Sequence, residues 1–131
     1  MKKIVIKTLG DPITIREEDL SNHKLECRGY WDPKVGEIVI DSTIDEIDKH
    51  AVLIHEFMHL IDDVLVQNGV RKKRSSHELI LHMADNLLVL LIVSGLITKF
   101  TIEEVFEFQK RMVDNWKEGD ETLGIIARNK K

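Results

Sequence analysis

The stretch His55-Glu56-Phe57-Met58-His59 constrains this chain more than any other. It reads H-E-x-x-H and lies inside an apolar run over residues 44–66 whose spacing predicts a helix. Residues four apart on a helix share a face, with Cβ atoms roughly 5–6 Å apart. Two imidazoles at that spacing can reach one ion through Zn–N bonds of about 2.0–2.1 Å. Glu56 is turned about 100° from His55. Its carboxylate would flank the ion and could take a proton from a water bound there. The bland alternative is a chance pattern on a solvated face. Against it, Val52, Leu53, Ile54, Phe57, Leu60 and Ile61 bracket the motif. Neutral histidines on a largely buried face need partners, and a metal is an economical one.

The rest of the chain is asked what it adds to such a site. It has 131 residues, 43% of them hydrophobic, which suits one domain spanning 1–131 with a real core. A net charge of −4 argues against a nucleic-acid-binding surface. Cys27 is the only cysteine, so no internal disulfide forms and a cysteine-rich zinc site is excluded. A reducing, cytoplasmic setting is the expectation. The apolar stretch over residues 4–6 is too short for a signal peptide. The apolar run over 79–97 contains His82, Asp85 and Asn86, so it reads as a buried helix and not as a membrane span.

Strands are expected at Ile4-Val5-Ile6 and Ile13-Thr14-Ile15, joined by a turn at Gly10-Asp11-Pro12. A weaker strand runs over 25–31, and Asp32-Pro33-Lys34-Val35-Gly36 turns the chain into Glu37-Ile38-Val39-Ile40-Asp41. The first helix is expected from Ser42 or Thr43, with a Thr43/Glu46 capping box and a stop at Gly69. Its apolar stripe is Ile47, Ala51, Ile54, Met58, Ile61 and Leu65, with Asp48 and Asp62 beside the histidines. The second helix runs from Ser75 or Ser76 to about Ser94, stopped by Gly95. The third opens with a Thr101/Glu104 capping box and packs through Ile102, Val105, Phe106, Met112, Val113 and Trp116. The tail after about 119 has little pattern and is expected to be flexible. The fold class is therefore α+β: a small, mainly antiparallel sheet packed on about three helices, the motif on the first long one.

A catalytic zinc usually has three protein ligands and one open position. On the second helix Glu78, His82 and Asp85 share one polar strip at i, i+4 and i+7. Glu78 is the favoured third ligand, because a carboxylate in a first turn also suits the helix dipole. Its competing role is to close a capping box with Ser75. His82 and Asp85 remain alternatives, and His77 reads as a loop or cap residue. Tyr30 and His82 are candidates for a donor to a transition-state oxyanion. The strand over 37–41 is a candidate edge for pairing an extended substrate.

H-E-F-M-H-L-I-D-D followed by S-S-H-E-L-I-L-H-M-A-D-N-L-L resembles the small zinc metallopeptidases of the ImmA/IrrE-like group, its phage and mobile-element versions above all. The resemblance covers roughly residues 37–91. It implies a minimal zincin-like fold of the gluzincin type, a Zn2+ cofactor held by His55, His59 and Glu78, and Glu56 as general base. It also implies hydrolysis of a protein or peptide substrate, in many members a repressor-type regulator. Many members carry a glutamate beside an Ala-Asn or Ala-Asp pair on the second helix. Here Met83 precedes Ala84-Asp85, and the nearest glutamate is Glu78. The alternative is a zinc-binding accessory or regulatory protein without catalysis. No direct nucleic-acid contact and no membrane association are expected.

Overall fold

A computed structural model describes residues 4–6, 12–22 and 27–118, with the backbone alone for 4–6 and 115–118. The expected turn at Gly10-Asp11-Pro12 and the tail after 119 lie outside the described residues. Among the described residues four strands precede three helices: β1 (Ile4–Ile6), β2 (Ile13–Glu18), β3 (Gly29–Asp32), β4 (Glu37–Asp41), α1 (Glu46–Gln67), α2 (His77–Val93) and α3 (Ile102–Glu118). The fold is α+β, as the sequence implies. The chain forms two compact units, Met1–Arg74 and Ser75–Lys131.

In the first unit the sheet order is β1-β2-β4-β3. β1 with β2 and β3 with β4 are antiparallel, while β2 with β4 is parallel. The sheet is mixed, with antiparallel pairs in the majority. β4 lies between β2 and β3. It is therefore not the edge strand expected from its position before the motif helix; β3 is. A continuous apolar run suits a central strand covered on both faces, and Ile38, Val39 and Ile40 are fully buried.

The strand period of two sorts the side chains. Ile15, Ile38 and Trp31 stand opposite one another across β2, β4 and β3. With Ile13, Ile40 and Leu60 they build the core, against which Val52, Leu53, Phe57 and Val64 of α1 pack. This corrects the later part of the expected stripe, while Ile47 and Ala51 are buried as expected. Leu53, Phe57, Leu60 and Val64 meet the sheet, so α1 is rotated by about 100° from the face defined by Ile54, Met58, Ile61 and Leu65. Both faces are apolar in sequence; the sheet selects the one whose flank carries Glu56.

Helix ends explain the remaining differences. The first helical residue of α1 is Glu46, and its N-cap, Asp45, makes no side-chain cap bond. The expected Thr43/Glu46 box does not form because Asp41 captures Thr43. Its Oδ1 accepts from the Thr43 N–H (3.0 Å), the Thr43 hydroxyl (2.8 Å) and the Leu20 N–H (3.2 Å). Glu46 instead pairs with Lys49 at 3.0 Å, and Lys49 reaches Glu17 on β2 at 2.8 Å. Gly69 ends α1 as expected, at φ +76°. Its N–H donates to the Val66 carbonyl and the Val70 N–H to Leu65, a Schellman arrangement.

In the second unit α2 and α3 pack together. α2 ends at the Gly95 stop, and the Thr101/Glu104 box opens α3 reciprocally, at 2.9 and 3.1 Å. The inner face of α3 is Val105, Phe108 and Met112. Ile102, Phe106 and Val113, expected to pack, are exposed; the Trp116 side chain lies outside the described residues. Among the described residues no helix is long and apolar enough to cross a membrane.

α1 approaches β3 at Gly29. A Cβ there would run into the Val52 Cγ1 methyl and lie 2.9 Å from the Val39 carbonyl oxygen. Gly29→Ala is expected to lower stability by about 1–3 kcal/mol, as overpacking does. Urea denaturation of wild type and variant measures this; equal midpoints would show that α1 shifts without cost.

Candidate metal centre

The rotation of α1 places the motif in two positions at once. His55 and His59 point away from the sheet, while Glu56 lies on the flank that meets β3. The His55 and His59 Nε2 atoms converge to 3.1 Å, with rings nearly edge-on at 71° and centroids 4.7 Å apart. Two ligands of a tetrahedral zinc, each about 2.0–2.1 Å from the ion, would stand roughly 3.3–3.4 Å apart. The pair fits that spacing within a few tenths of an ångström. Without an ion, one Nε2 of a neutral pair holds a proton and the other accepts it. Burial pushes the His59 pKa below its ordinary value, while the charges of Asp62 and Asp63 oppose the shift. The ring is therefore neutral near pH 7, the form that ligates.

Glu56 has a different environment. Burial raises its carboxyl from 4.5 to about 8, opposed only by a hydrogen bond from the Trp31 backbone N–H. The ladder register explains this donor. The Asp41 N–H donates to the Arg28 carbonyl, and Arg28/Asp41 has the same register as Tyr30/Val39 two residues on. Antiparallel pairs alternate, so Tyr30 turns its backbone groups toward β4 and Trp31 turns its own outward, to the free edge and Glu56.

The side chain of Trp31 is fixed from the same helix. Its Nε1–H donates to Asp63 Oδ2 at 2.8 Å, and Arg74 donates to Asp63 Oδ1. Asp62 accepts from Arg71 Nη1 at 2.7 Å. Both aspartates are buried. Sequence reasoning selected Asp48 and Asp62 as carboxylates near the histidines and missed Asp63. Asp48 pairs instead with Arg28, at 3.2 Å. The available signal was Asp63 one turn after His59 on the same helix.

Tyr30 alternates to the sheet face opposite Trp31. Burial raises its pKa, with the charges of Glu18, Arg16 and Glu37 acting on it as well. That face carries the Arg16 pairs with Glu37 (3.0 Å) and Glu18 (2.6 Å), so Tyr30 does not face the histidine helix.

The residues expected on the second helix lie in the second unit. Ser76 caps α2, its hydroxyl oxygen accepting from the Leu79 N–H at 3.1 Å. Of the two serines expected to start the helix, Ser76 is the cap, and the Ser75/Glu78 box does not form. Glu78 then stands at the second helical position, where it cannot close the box, and its competing role disappears. His77 and Glu78, the first two residues of α2, are exposed; His82 is half-buried and Asp85 buried. Comparison with family models, with curated proteins and with solved structures finds no match for this chain.

The Glu56 environment makes the metal-free protein pH-sensitive. Between pH 4.5 and about 8 the folded state keeps a proton that the unfolded state has released. Stability from this group is therefore present at acid pH and lost as pH rises through that window. In chelator-treated protein, Glu56→Gln is expected to gain about 2–4 kcal/mol over wild type at pH 8.5 relative to pH 5. Denaturation at the two pH values tests this, and an unchanged difference refutes a proton held at Glu56.

Proposed function

We propose that this chain is a zinc-dependent metallopeptidase that hydrolyses peptide bonds, with Glu56 as general base. The observation that carries the reading is the convergence of the His55 and His59 Nε2 atoms at 3.1 Å, with Glu56 the residue after His55 on the same helix. The resemblance to the ImmA/IrrE-like group points the same way.

The third ligand is assigned to the first turn of α2. Arg74 is held to Asp63, one turn beyond His59, and His77 follows three residues later. Zinc accepts an imidazole or a carboxylate as third ligand, so His77 and Glu78 both suit it chemically. Glu78, freed from the capping box, remains the choice that the family resemblance implies; His77 is its neighbour and rival.

A zinc ion bound there would lower the pKa of a water toward about 7 and polarise the scissile carbonyl. Glu56 takes the proton of the attacking water and delivers it to the leaving amine nitrogen as the C–N bond breaks. The Trp31 N–H orients that carboxyl. The proposed setting is cytoplasmic, and a regulatory protein is the proposed substrate class.

Metal analysis of purified protein tests the ligand set. Wild type is expected to hold one zinc per chain, and His55→Ala and His59→Ala to lose it. Of His77→Ala and Glu78→Ala, the variant that loses zinc identifies the third ligand. Glu56→Gln is expected to retain zinc while cleavage of a denatured protein substrate falls at least about 10²-fold. Zinc-free wild type, or cleavage unchanged in Glu56→Gln, overturns the reading. A noncatalytic zinc module would hold the metal but show no zinc-dependent cleavage in wild type.

A further inference from the structure

α3 has two apolar faces, and only one is used inside its own unit. Val105, Phe108 and Met112 are buried. Ile102 and Phe106 are 67% and 64% exposed and Val113 is 40% exposed. With half-buried Gln109 these positions recur at intervals of four, three and four. That is the d-a-d-a seam of a two-heptad coiled coil. A stripe of this kind on an otherwise charged helix is an association surface.

The charges decide what covers it. Glu103 and Lys110 each follow a d residue and so hold the e positions. Both are exposed, and neither has an ion-pair partner among the described residues. The g positions are Val105 and Met112, both buried within their own unit. In a parallel pair e faces g of the other helix, and the two charges would meet no partner. In an antiparallel pair e faces e. The register that sets Ile102 against Val113 of the other copy, and Phe106 against Gln109, then places Glu103 against Lys110 twice. The surface is self-complementary under a two-fold axis, as an isologous interface requires.

We propose that the exposed stripe of α3 is a homodimer seam, occupied by α3 of a second copy running antiparallel. Gln109, at the centre, is the polar residue that selects this register, since each glutamine lies against the Phe106 ring of the other copy and not against a second glutamine. The seam is two heptads long, so the dimer is reversible and concentration-dependent. Nothing in this inference depends on the metal centre or on peptidase activity.

Sedimentation equilibrium of the full chain over a concentration series, in low salt, tests it. Wild type is expected to dimerise. Glu103→Lys and Lys110→Glu each set like charges against each other at both pairs, and each is expected to weaken self-association on the order of tenfold. An equimolar mixture of these two variants restores Glu–Lys pairing at both sites and is expected to form heterodimers more tightly than either variant dimerises alone. Phe106→Glu is expected to abolish dimerisation while far-ultraviolet circular dichroism stays unchanged, since Phe106 is outside the buried set. A monomeric wild type at high concentration overturns the proposal. A dimer indifferent to both charge reversals, or a variant mixture that gains nothing, overturns the antiparallel register.

Discussion

The first unit depends on one strand and one helix holding each other at two points. From β3, the Trp31 backbone N–H reaches Glu56 and the Trp31 indole N–H reaches Asp63. The two acceptors are seven residues apart on α1, so they lie on the same side two turns apart. One tryptophan therefore sets both the rotation of α1 and its position along the strand. Once that rotation is set, Phe57, Leu60 and Val64 fall on the sheet and the two histidines turn outward. Gly29 permits the arrangement, because any side chain there would hold the helix off the strand.

Asp63 extends this coupling. It also receives Arg74, while its neighbour Asp62 receives Arg71. The run Arg71-Lys72-Lys73-Arg74 follows α1. Its two arginines neutralise buried carboxylates, which would be costly to leave uncompensated. The segment leading to α2 is thereby tied back to the helix that carries the motif.

Much of this was legible from residues. H-E-x-x-H on the first long helix, the strands, the turn into β4 and the glycine stops all follow from local chemistry. Three things did not. The apolar stripe of α1 was ambiguous because Ile54, Met58, Ile61 and Leu65 are as apolar as the face actually used; only the sheet distinguishes them. The N-cap of α1 was misplaced because Asp41, a strand residue, competes for Thr43. The edge strand was misassigned because chain order says nothing of a parallel β2–β4 pair that inserts β4 between its neighbours. In each case a partner distant in sequence overrides a local preference. The start of α2 is a further case: with Ser76 as the cap, Glu78 stands at the second helical position and closes no capping box.

The sheet order carries a kinetic consequence. β3 and β4 are joined by a turn of four residues, and α1 begins four residues after β4. These contacts close short loops and lose little chain entropy on forming. The parallel pairing of β2 with β4 must instead span the eighteen residues between them. The β1–β2 and β3–β4 pairs are thus the most local contacts of the sheet. The Trp31 bond to Asp63 spans 32 positions, so the strand and helix that it joins close a loop as long as any in the first unit. Each can form locally before the tryptophan fixes the histidine helix to the sheet.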